Sequence, residues 1–144
     1  MGDLYRDLGQ GEAARDAYQS SLEIAQRLAA AEPDRADYQR DLSVSYNKMG
    51  DLYRALGQGE AARDAYQKDL EIAQRLAAAE PGRADYQVDL AISLMRVGTL
   101  KGAEGRRDLE GAVSILERLE AEGRLAPAEQ PKIDAVRQLL AELD

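Results

Sequence analysis

The chain contains no cysteine, no histidine, no tryptophan and no phenylalanine among its 144 residues. Without cysteine there are no disulfides, no thiol nucleophile and no thiolate metal site, and the redox compartment is left open. Without histidine the usual proton shuttle and commonest metal ligand at neutral pH are missing. Basic residues are outnumbered, 19 against 27 acidic, giving a net charge of −8. That balance repels phosphate backbones and anionic bilayers at long range, so neither nucleic acid nor a membrane surface is expected as a partner. No apolar run approaches the ~20 residues of a membrane span, and Met1-Gly2-Asp3-Leu4-Tyr5-Arg6-Asp7 lacks the charged-then-apolar order of a signal peptide. A soluble cytoplasmic protein is the expectation.

Proline is scarce too, at four, and the aromatic inventory is seven tyrosines. What is abundant is Ala, Leu, Glu, Arg and Gln, which lose little side-chain freedom in a helix. Few β-branched residues argue against a sheet. The fold class expected is all-α.

The most informative feature is internal repetition. Residues 1–48 and 49–96 align without a gap and differ at ten positions: Asp7/Ala55, Ser20/Lys68, Ser21/Asp69, Asp34/Gly82, Arg40/Val88, Ser43/Ala91, Val44/Ile92, Tyr46/Leu94, Asn47/Met95 and Lys48/Arg96. A third stretch starts in register as Val97-Gly98-Thr99-Leu100 and then diverges. Each period holds two helices. The first, about 36–56, carries Tyr38, Leu42, Tyr46, Met49, Tyr53 and Leu56 at steps of three and four, the helical period. Gly57-Gln58-Gly59 stops it, since glycine accepts left-handed C-terminal geometry. The second, about 60–79, carries Ala62, Tyr66, Leu70, Ala73 and Leu76, with Arg63, Asp64, Gln67, Lys68, Glu71 and Arg75 turned to water. Pro81 ends it. The same pattern predicts helices at about 11–31 and 84–100. Short connections make each period an antiparallel hairpin, and a hairpin hides its apolar face only by stacking on the next.

At the C-terminal end, a divergent helix over 108–122 would turn Leu109, Ala112, Leu116 and Leu119 inward. Gly123-Arg124-Leu125-Ala126-Pro127 breaks it. A last helix at about 131–143, with Ile133, Val136, Leu140 and Leu143 on one side, is expected to cover the final hairpin. The N-terminus has no such polar cover, and a bare stacking face invites self-association. One domain results: a truncated first hairpin (1–34), a second (35–81), a divergent third (82–122) and the capping helix (123–144).

The chemistry-bearing residues have plain readings. Carboxylates are plentiful, but no nucleophile, oxyanion donor or metal cage accompanies them, so they read as solvated helix faces. Gly57-Gln58-Gly59 and Gly102-Ala103-Glu104-Gly105 lack the preceding strand and following Lys-Ser/Thr of a phosphate loop, and read as turns. The tyrosines sit on apolar stripes and read as core. No enzyme activity, cofactor or metal is expected.

Tyr46-x-x-Met49-Gly50-x-x-Tyr53, Ala62-x-x-x-Tyr66 and Pro81 together resemble the tetratricopeptide (TPR) pattern Trp-x-x-Leu-Gly-x-x-Tyr, Ala-x-x-x-Phe, Pro. Met1-Gly2-x-x-Tyr5, Ala14-x-x-x-Tyr18 and Pro33 repeat it, and Leu94-x-x-Val97-Gly98 begins it again with Lys101 at the tyrosine position. The family's usual unit is 34 residues. The surplus of 14 is about four turns, consistent with both arms being about two turns longer. Bacterial long-repeat TPR proteins with Asp-Leu-Ser-Val-Ser and Gly-Asp-Leu-Tyr segments look similar, and are often sensor or docking parts of signalling proteins. The resemblance implies a right-handed superhelix of stacked hairpins, an α-solenoid, acting as a protein–protein interaction scaffold. It further implies that first helices line a concave groove. The groove residues would be Asp3, Arg6 and Asp7, then Val44, Asn47, Lys48, Asp51, Arg54 and Ala55, then Ile92, Met95, Arg96 and Thr99. Such a line would hold an extended peptide through Asn47, with Lys48, Arg54 and Arg96 for carboxylates. Asp51 and Asp3 stand where a carboxylate-clamp TPR would want amides, which argues against a clamp. The alternative is a self-associating module that oligomerises through its exposed repeat ends or by exchanging hairpins.

Overall fold

The computed structural model describes residues 2–144, with side chains described from Gln10 onward. Six α-helices follow in order: α1 (Gly2–Ala31), α2 (Ala36–Ala55), α3 (Gly59–Ala79), α4 (Ala84–Lys101), α5 (Arg106–Ala121) and α6 (Gln130–Glu142). Short 3-10 turns occupy Gly102–Gly105 and Pro127–Glu129. The described residues contain no strand, and the fold is all-α. The chain divides within α3 into two compact units, Met1–Asp69 and Leu70–Asp144.

In the first unit α1 and α2 form an antiparallel pair joined through Pro33. The start of α2 is fixed locally. Arg35 has extended backbone, its guanidinium grips the Asp37 carboxylate (Nη2–Oδ2 2.6 Å), donates to the Tyr38 hydroxyl at 3.0 Å and lies over that ring at 3.9 Å. Leu22, Met49 and Ala65 form the core of the unit, with Leu42, Tyr46 and Tyr53 packed against them. The tyrosine stripe of α2 is therefore half-buried, not sunk, and Leu56 at its end is exposed. Sequence spacing alone placed all six residues inside. The stripe is shallower because a Met, a Leu and an Ala fill the centre, leaving the rings around their edge.

The α2–α3 turn shows why Gly57 is glycine. Its φ of 76° is left-handed, and two hydrogen bonds, Gln58 N–H to Tyr53 C=O at 2.8 Å and Gly57 N–H to Arg54 C=O at 3.1 Å, close the helix end. The arms then meet closely: a Cβ on Gly50 would lie 2.4 Å from Cε1 of Tyr66, and Tyr66 is 1 % exposed. The Tyr66 hydroxyl donates to Asp51, and Ser43 donates to the buried Asp69. Asp69 was not among the expected core residues. Its hydroxyl partner on α2 helps to make a carboxylate tolerable there.

The first predicted helix boundary is displaced. Leu8-Gly9-Gln10-Gly11 repeats Leu56-Gly57-Gln58-Gly59 residue for residue, yet α1 runs unbroken through it. The helix expected to start near Gly11 starts at Gly2. A glycine costs a helix only about 1 kcal/mol relative to alanine, too little to force a turn by itself.

In the second unit α4 and α5 pair, and α6 packs on α5. The core holds Val88, Ala91, Leu109, Ala112, Leu116, Leu119, Leu125, Ile133 and Val136. The four inward positions expected of α5 are all buried, as are Ile133 and Val136 of α6, while Leu140 and Leu143 pack against the cluster from its edge. The third hairpin turns early. Gly98 meets Leu109, eleven residues on, where Gly50 meets Tyr66 sixteen residues on. The turn is five residues shorter, and Gly102 takes the left-handed φ of 63°. Lys101, in the family's tyrosine position, instead pairs with Asp108 at 3.0 Å.

Candidate protein-binding face

The expected binding residues fall on first helices, and each unit is described by itself. On α2, Val44, Asn47, Lys48, Asp51 and Arg54 recur at three- and four-residue spacing, which puts them along one side of the helix. Val44, Lys48, Asp51 and Arg54 are exposed and Asn47 is half-buried. Asn47 Oδ1 is itself buried and has no hydrogen-bond partner among the described residues. An orphaned amide oxygen of this kind costs about 1–3 kcal/mol unless something supplies a donor. Asp51 already accepts from Tyr66, so its charge is directed partly into the hairpin.

On α4 the picture differs. Met95 packs against the hydrophobic cluster of the second unit. Thr99 Oγ1 donates to the Met95 carbonyl of its own helix at 2.6 Å, so its hydrogen is already committed. Arg96 is half-buried and engaged elsewhere. The side chains of Asp3 and Arg6 lie outside the described residues.

Sequence spacing did not foresee a hollow beside the tyrosines of α2. Leu22, Tyr46, Met49, Tyr53, Asp64 and Lys68 help to line a pocket of about 220 Å³. That is smaller than the roughly 300–1,000 Å³ of ordinary small-molecule sites. The Tyr46 hydroxyl accepts from Gln26 at 3.1 Å and Lys68 lies 5.5 Å over the Tyr46 ring, so these two side chains are already engaged. The Tyr38 hydroxyl likewise accepts a hydrogen bond within the chain, from Arg35.

No group of His, Cys, Asp and Glu among the described residues has the arrangement of a metal site. No helix among them is long and apolar enough to cross a membrane.

A helical hairpin in which glycine packs on tyrosine, Gly50 on Tyr66, is the arrangement the repeated pattern called for, and family comparison agrees. Sequence models described as tetratricopeptide repeat match residues 42–80 and residues 1–27. Those two stretches are tetratricopeptide repeats. Comparisons with curated proteins and with solved structures each find no significant match. TPR repeats are in general protein–protein interaction modules rather than catalysts. In this TPR chain the glycine and tyrosine of the second copy build the hairpin. Of the first-helix side chains that vary between copies, Asn47/Met95 and Lys48/Arg96 lie outside the Gly50–Tyr66 contact on α2, whereas Ser43, alanine in the next copy, bonds to the buried Asp69 of α3.

Proposed function

We propose that this TPR chain is a non-enzymatic scaffold that binds an extended peptide or protein segment through its first helices. Asn47, Lys48, Asp51 and Arg54 of α2 form the principal contact, with Arg96, Met95 and Thr99 of α4 and Asp3 and Arg6 of the first copy as lesser contributors. The observation that carries this reading is the line of exposed Lys48, Asp51 and Arg54 down one side of α2, with half-buried Asn47 beside them. Lys48 and Arg54 would pair with ligand carboxylates, and the Asn47 amide would bond to the ligand backbone. A cytoplasmic setting belongs to the same reading.

The test is a pull-down and titration against an array of extended acidic peptides. Changing Asn47, Lys48 and Arg54 together to alanine should weaken binding about tenfold or more, given ~1.4 kcal/mol per decade. Binding unaltered by the triple change rejects this face.

A second reading, self-association, is favoured by a separate observation: α1 exposes Tyr18, Ile24 and Leu28, apolar side chains on a helix whose repeat, α3, has Tyr66 and Ile72 buried.

A further inference from the structure

Helix α1 has two apolar sides, and its own chain covers one of them. At about 100° per residue, Leu22, Ala25 and Ala29 share one side, and all three are buried, Leu22 against Met49 of α2. Ala17, Ser21, Ile24 and Leu28 fall within about 60° of one another on a second side, about a quarter-turn away. Their spacing of four, three and four residues is that of a helix-pairing seam. This side is open to water. Ile24 is 52 % and Leu28 41 % exposed, and Ala17 and Ser21 are exposed as well. The charged residues of the stretch, Glu12, Arg15, Asp16, Glu23 and Arg27, all lie around the rest of the helix.

The repeat shows that this lack of charge belongs to the first copy alone. From Gln10 to Ala31, α1 differs from residues 58–79 at two positions, Ser20 for Lys68 and Ser21 for Asp69. Ser21 lies in the second side and Ser20 at its edge. The counterparts Ala65, Asp69 and Ile72 are 7, 3 and 4 % exposed. The copy that faces water thus carries less charge than the copy that folding hides, the reverse of what solvation asks of a surface helix. An exposed, uncharged face with two large apolar side chains on it marks a contact with another chain.

We infer that the Ala17–Ser21–Ile24–Leu28 side of α1 is the interface between two copies of the chain. The inference rests on the self-association reading and names its surface. What selects a second copy is that the seam fits itself. Ala17 and Leu28, and likewise Ser21 and Ile24, are symmetric about the midpoint between Leu22 and Glu23. A two-fold axis there sets Leu28 of one copy over Ala17 of the other, and Ile24 over Ser21. Each level then has a large side chain against a small one, the interdigitation that fills a helix pair without voids. Parallel helices would instead set Ile24 on Ile24 and leave Ala17 facing Ala17. The flanking charges agree with the two-fold arrangement. Asp16 and Arg27 lie along one edge of the seam, and the same axis brings Arg27 of each copy beside Asp16 of the other. The contact is isologous and closes on itself.

The experiment is sedimentation of the full chain over a dilution series. The wild type should pass from a two-chain to a one-chain mass on dilution. Ile24→Lys should raise the midpoint concentration about tenfold or more, a loss of ~1.4 kcal/mol. Ser20→Lys with Ser21→Asp, which gives α1 the residues of its own repeat, should act in the same direction. Circular dichroism should be unchanged in both variants, because all three positions are already exposed. Added salt should lower the wild-type midpoint, since each copy carries a net charge of −8 and the seam itself is uncharged. A midpoint that rises with salt would mean that charged contacts hold the pair, and overturns the assigned face. A two-chain mass indifferent to both variants overturns the inference alone, because self-association then uses another surface. A one-chain mass through the whole series overturns the inference and the self-association reading together, and leaves the face to a chain of another kind.

Discussion

Leu8-Gly9-Gln10-Gly11 and Leu56-Gly57-Gln58-Gly59 are the same four residues, followed by the same Glu-Ala-Ala-Arg-Asp-Ala-Tyr, and one is helix while the other is a turn. Local propensity is identical by construction, so the difference is tertiary. Around the second copy, Gly50 admits Tyr66, and Met49 joins Leu22 and Ala65 in the core. The turn is the shape the chain adopts when its two arms have something to gain by meeting. The glycines permit that turn without commanding it.

The sharpest way to break the comparison is to remove the gain. Gly50→Ala puts a methyl 2.4 Å from Cε1 and 2.5 Å from Cδ1 of Tyr66, a ring that is fully buried and has nowhere to retreat. Overpacking of this kind costs typically 1–3 kcal/mol, and the upper part of that range, about 2–3, is expected in urea unfolding. A cost below about 0.5 kcal/mol would mean the arms do not depend on this contact. Gly57→Ala attacks the turn itself. A left-handed residue with a Cβ loses about 1–2 kcal/mol, and the α2–α3 hairpin should remain because its packing is intact. If Gly57→Ala cost more than Gly50→Ala, the turn and not the packing would be the determinant.

Gly9→Ala is the counterpart and its sign is opposite. In a helix that continues through residue 9, alanine should stabilise by about 1 kcal/mol, raising the thermal midpoint by several degrees for a chain of this size. The same substitution at two equivalent positions of the repeat would then stabilise in one copy and destabilise in the other. Equal losses at both would show that the first copy turns as the second does.

Most of the architecture is legible in the sequence because hairpin repetition writes itself as period. The ends of α2, α3, α4 and α6 fall within a residue or two of the places where glycine, proline and apolar spacing put them. The outward side of α3 is also as spaced: Arg63, Asp64, Gln67, Lys68, Glu71 and Arg75 are all exposed. What spacing misses is what neighbours decide. Asp69 is buried where Ser43 offers a hydroxyl, and a polar residue has no apolar period to betray it. Leu56 lies in phase with its stripe but beyond the core. The early third turn follows from Gly102 and Gly105, which resemble the Gly57–Gly59 pair in composition while the arms register five residues differently. Of the binding face, the α2 positions follow from helical spacing, but the partnerless oxygen of Asn47 depends on which atoms surround it, and no spacing rule reports that.

The smallest expected effect tests the other side of the comparison, a motif that does come out alike in both copies. Arg35-Ala36-Asp37-Tyr38 recurs as Arg83-Ala84-Asp85-Tyr86, and each arginine grips the carboxylate two residues on (2.6 and 2.7 Å) while stacking at 3.9 and 4.0 Å on the tyrosine three residues on. The clasp repeats faithfully because all its parts lie within four residues and no distant packing is asked for. The Arg35 hydrogen bond holds the Asp37 carboxyl below its ordinary value, and the guanidiniums of Arg35 and Arg83 are raised further above an already high one. The arginines stay charged throughout, so only the carboxylate governs the pH dependence. A depressed folded-state value means the contribution is present above the ordinary carboxylate range, about pH 4, and is lost as pH falls through the depressed value. The side chains are well exposed, which makes the effect slight. Amide exchange at the start of α2, followed from neutral pH down into that acid range, should accelerate once the intrinsic pH dependence is removed, and Asp37→Asn should abolish the added limb. An acid limb that survives Asp37→Asn would assign it to another carboxylate, and would leave the clasp a coincidence of two copies sharing a sequence.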